Sequence, residues 1–68
     1  MTRKEKETIL KAVENAYYRS YKEETPLTVA RASVLASLAL DLGMDAGIIA
    51  HRANLAKVAA LGIEEKTA

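Results

Sequence analysis

The side chains in this sequence that could carry chemistry are few and far apart. His51 is the only histidine and there is no cysteine, so no disulfide and no thiolate or His/Cys zinc site can form. Asp41, Asp45 and Glu64 stand at no spacing that assembles them with His51 as metal ligands. There is no paired nucleophile and base, no Gly-rich phosphate loop and no His-Glu-x-x-His helix. Tyr17, Tyr18 and Tyr21 are too few for a cofactor box. The expectation is a non-enzymatic protein with no catalytic, cofactor-binding or metal-binding residues.

Two other sets of residues could bind something. Lys4, Lys11, Asn15, Tyr18 and Lys22 recur at helical spacing, and a basic stripe with an aromatic can hold phosphates and stack on a base. Glu5, Glu7 and Glu14 are interleaved around the same helix, as on a solvated polar face. Arg31 and Arg52 each fall inside an apolar arc on a helical wheel. Three fates are open to them. These are extension to solvent from the core edge, pairing with Glu14 or Asp41, or crossing a subunit interface, where the planar guanidinium suits a carboxylate.

These residues must be positioned by helices. Thr2-Arg3-Lys4-Glu5 fits a capping box, and the first helix is expected over 3–22. Ile9, Leu10, Val13, Ala16, Tyr17, Ser20 and Tyr21 share one arc of it, an ordinary amphipathic pattern. Thr25-Pro26 starts a second helix over 26–42, with Pro at the first helical position. Gly43 suits a left-handed helix end. Asp45 caps a third helix over 46–61, with Met44 and Ile49 as the flanking apolar pair. Gly62 ends that helix, Ile63 is expected to fold back on Val58, and 64–68 is expected to fray. The second helix is apolar nearly all round, the pattern of a helix covered on several sides. The expected fold is therefore all-α, a compact three-helix bundle with a central hydrophobic second helix in a single domain, 1–68.

The junction of the second and third helices resembles the helix-turn-helix DNA-binding superfamily. Ala39, three residues, Gly43, five residues and Ile49 carry the resemblance, with Leu38, Leu42 and Met44 at further apolar positions. It covers about Leu35 to Asn54, less than a third of the chain. It implies a recognition helix over 46–61. Of the positions that would face base edges, only His51 and Asn54 bear hydrogen-bonding side chains, and Lys57 would border them on the phosphates. A tight turn between packed helices would give the same Gly and apolar anchors.

Sixty-eight residues support one thin core. Thirteen of the apolar residues are Ala and neither Phe nor Trp is present, so the core supplies only about 3–5 kcal/mol at best. The net charge of +1 gives no global field for nucleic acid. Thr2 to Glu7 is highly charged with no apolar region after it, unlike a signal peptide. Arg31 and Asp41 interrupt the one long apolar stretch, so no membrane partner is expected. Together these features favour a cytoplasmic interaction module of regulatory, adaptor or inhibitor type. It would bind itself, as a homodimer or higher, and an unidentified protein. Val29, Ala32, Ala36, Leu40, Leu55, Val58 and Leu61 are the expected self-association residues, with Arg31 and Arg52 as interface ion pairs. Lys11, Tyr18, Lys22, His51, Asn54 and Lys57 are the candidate partner or DNA contacts. The alternative is a dimeric helix-turn-helix DNA-binding protein.

Overall fold

Local cap chemistry sets the ends of all three helices. In the computed structural model, which describes residues 1–62, Thr2 and Glu5 form a reciprocal capping box that starts α1 (Arg3–Glu23). Glu5 N–H donates to Thr2 Oγ1 at 3.1 Å and Thr2 N–H donates to Glu5 Oε1 at 2.8 Å. The helix ends at Glu24, which takes a left-handed conformation (φ 51°) and donates its N–H to the Ser20 carbonyl.

Helix α2 (Pro26–Asp41) opens on a second box, built by Thr25 and Thr28 instead of a Thr–Glu pair. Each donates its N–H to the other's Oγ1 at 3.1 Å. Pro26 at the first turn lacks only an N–H that the helix would leave unpaired. At the other end, Gly43 has φ 92°. Its N–H reaches the Leu40 carbonyl, and the Met44 N–H reaches that of Ala39. This is a Schellman closure, and its left-handed residue favours glycine. Asp45 then caps α3 (Ala46–Leu61), its Oδ2 accepting from Ile48 N–H at 3.1 Å. Gly62 closes α3 with φ 63°. The expected contact of Ile63 with Val58 and the expected tail, 64–68, lie outside the described residues.

The chain is all-α, a three-helix bundle, and no strand occurs among the described residues. Its core is small: Leu10, Val13, Ala39 and Ile49 are buried together, with Ile9, Tyr17, Leu35, Ala36 and Met44 packed on them. The other buried positions are short side chains, Ala16, Ser20, Thr28, Ala32, Ala56 and Ala60. They let helix backbones approach closely but remove little apolar area from water.

The central helix is α1, which corrects the expectation that α2 takes that place. Both α2 and α3 pack along α1 and meet each other only slightly. The reason lies in what α1 offers. Its Val13, Ala16 and Ser20 are buried in the bundle, while Glu7 and Glu14 hold Arg52 of α3. Helix α3 is thereby fastened to α1 and touches α2 only near Ala39 and Ile49.

Candidate functional site

Because α1 covers one side of α2 and α3 touches it only slightly, many of its apolar side chains remain in water. Thr28, Ala32 and Ala39 form the buried face. On one flank, Leu27, Val34, Leu38 and Leu42 are 67, 63, 50 and 48% exposed. At 3.6 residues per turn these four and Arg31 share one side of the helix. Leu27, Ala30, Arg31, Val34 and Leu35 line one shallow groove there. Ser33, Val34, Ser37, Leu38 and Asp41 line the next. The other flank carries Val29 and Leu40, 51 and 47% exposed. A row of exposed apolar side chains such as Leu27, Val34, Leu38 and Leu42 is the kind of surface that soluble proteins use for binding.

The expected self-association residues are divided by the fold. Val29, Leu40, Leu55 and Leu61 are exposed, and Ala36 and Val58 are half-buried. Ala32 is 1% exposed. It belongs to the buried face of α2, which packs on α1, so it is not part of the free surface.

The two arginines have different fates. Arg52 Nη2 donates to Glu7 Oε1 at 2.7 Å and Oε2 at 2.9 Å, and its Nη1 donates to Glu14 Oε1 at 3.2 Å. Glu14 is one of the two partners expected from the sequence, and Glu7 is an addition. The signal was present, since Glu7 and Glu14 are two turns apart on one face of α1. The hydrogen bond with Glu7 is the main cause that raises the Arg52 pKa above its already high value, and burial opposes it. Arg52 is thus an intrachain tie. Arg31 is exposed and makes no ion pair among the described residues.

His51, Asn54 and Lys57 are all exposed and lie together. With Gly47, Ala50 and Ala53 they form the α3 wall of a shallow groove whose α1 wall is Tyr17 and Tyr21. Those two tyrosine rings stack at 6.4 Å between centroids. Lys11, Tyr18 and Lys22 are exposed on α1, and Lys22 Nζ lies 6.0 Å from the Tyr18 ring centroid. The groove does not include them, so the candidate polar contacts form two surfaces. The tyrosine wall was missed because Tyr17 and Tyr21 read as part of the core arc; both are only half-buried.

Ala39 and Ile49, two anchors of the helix-turn-helix resemblance, meet in one buried cluster. Among the described residues no three His, Cys, Asp or Glu side chains converge as metal ligands. No described helix is long and apolar enough to cross a membrane. No family model, curated protein or solved structure matches the chain.

Proposed function

We propose that this chain is a small, non-enzymatic, cytoplasmic interaction module that self-associates and holds a protein partner, in the manner of regulatory, adaptor or inhibitor proteins. The observation that carries this reading is the double apolar flank of α2, with Leu27, Val29, Val34, Leu38, Leu40 and Leu42 all exposed. Covering these side chains is favourable at about 25 cal/mol per Å². A chain with so thin a core gains much of its stability from such cover. Sedimentation equilibrium of the full chain tests the self-association. A species that remains monomeric at high concentration contradicts it.

A second reading is favoured by a separate observation. The groove formed by His51, Asn54 and Lys57 against Tyr17 and Tyr21 places the hydrogen-bonding residues of α3 on one open surface. That arrangement supports a dimeric helix-turn-helix DNA-binding protein with α3 as recognition helix. A mobility-shift assay on random duplex across a salt series separates the two, since phosphate-driven binding weakens steeply with salt.

A further inference from the structure

The more exposed flank of α2 carries its own complement. Arg31 and Asp41 stand at either end of the Val34–Leu38 pair, and both are exposed. They are ten positions apart along the helix, about 15 Å of axial rise, so neither can satisfy the other within one chain. Neither makes an ion pair among the described residues. Asp41 is also the last residue of α2, where the helix dipole disfavours a negative charge and a cation from outside would offset it.

We infer that this face binds a second copy of the chain, with the two α2 helices antiparallel across a two-fold axis at the level of Ala36. The register follows from the charges. A two-fold axis midway between Arg31 and Asp41 sets Arg31 of each copy at the level of Asp41 of the other, giving two equivalent ion pairs. The same operation sets Val34 opposite the second copy's Leu38, twice. Leu27, the most exposed large apolar side chain described, then lies within about one turn, ~4.5 Å of axial rise, of the second copy's Leu42. A parallel pairing would instead set Arg31 against Arg31. A closed, two-fold contact of this kind uses one patch twice. The inference deepens the self-association reading and rests on it.

The test is a charge swap in the full chain, read by sedimentation at matched concentrations with circular dichroism as the check on folding. Arg31→Asp and Asp41→Arg should each weaken the dimer about tenfold or more, since each removes two ion pairs and introduces like charges. The double variant R31D/D41R should recover the affinity of the parent. Val34→Glu should abolish the dimer, whereas Leu40→Glu should leave it intact. All four positions are exposed in the single chain, so the helical signal should persist. A dimer that persists in R31D and V34E overturns this face while self-association itself stands. A parent chain that never dimerises overturns both.

Discussion

Arg52 and Glu7, 45 residues apart, are joined through one guanidinium nitrogen and both carboxylate oxygens at 2.7 and 2.9 Å. With Glu14 this fastens α3 to α1. Glu7 and Glu14 are partly exposed, so solvent screening limits the tie to about 1–2 kcal/mol. Arg52→Met, which keeps an apolar stem, should lower stability by that amount in urea unfolding. A raised folded pKa means the contribution is complete below the unfolded value and is lost only as pH climbs through a strongly alkaline folded value. The Arg52 contribution should therefore be flat from about pH 6 to pH 9. A loss beyond about 3 kcal/mol on Arg52→Met would show that the side chain fills space as well as pairing.

The helix ends give a pair of predictions of opposite sign. Asp45 caps α3, and Asp45→Ala should destabilise by about 0.5–2 kcal/mol. Glu24 holds a left-handed conformation that disfavours a residue with a Cβ by about 1–2 kcal/mol. Glu24→Gly should therefore be neutral or stabilising by up to about 1 kcal/mol, after the greater freedom of glycine in the unfolded chain is deducted. Thermal melts of the two variants check both signs, and destabilisation by Glu24→Gly would contradict the account of that cap.

Local signals made the helices legible. Thr2 with Glu5, Thr25 with Pro26, Gly43, Asp45 and Gly62 place the ends of α1 and α2 within a residue and both ends of α3 where they occur. What local signals do not encode is which helix lies between the others. The apolar girth of α2 reads as a buried centre only if the whole partner set lies within one chain. Arg52 to Glu7 is a long-range choice of the same kind, because a lone arginine in an apolar arc is compatible with several carboxylates. The groove of Tyr17, Tyr21, His51 and Asn54 also depends on how α3 lies on α1, which periodicity leaves open.

For nucleic acid the interaction-module reading predicts no retention of random duplex even at low salt. If duplex is retained and released steeply by salt, the helix-turn-helix alternative gains. Asn54→Ala should then flatten discrimination between sequences, and Lys57→Ala should weaken all duplexes alike. The Asn54 and Lys57 variants should leave the melting temperature nearly unchanged, since both side chains are exposed.

Self-association is the central claim, and its most direct test is sedimentation equilibrium of the full chain near neutral pH, paired with melts over the same concentrations. Assembly stabilises the folded state by mass action. The prediction is a mass of two chains at tens of micromolar (about the concentration where a modest two-fold contact closes) and a melting temperature that rises with concentration. A well-folded species with the mass of one chain and a concentration-independent melt would contradict the claim.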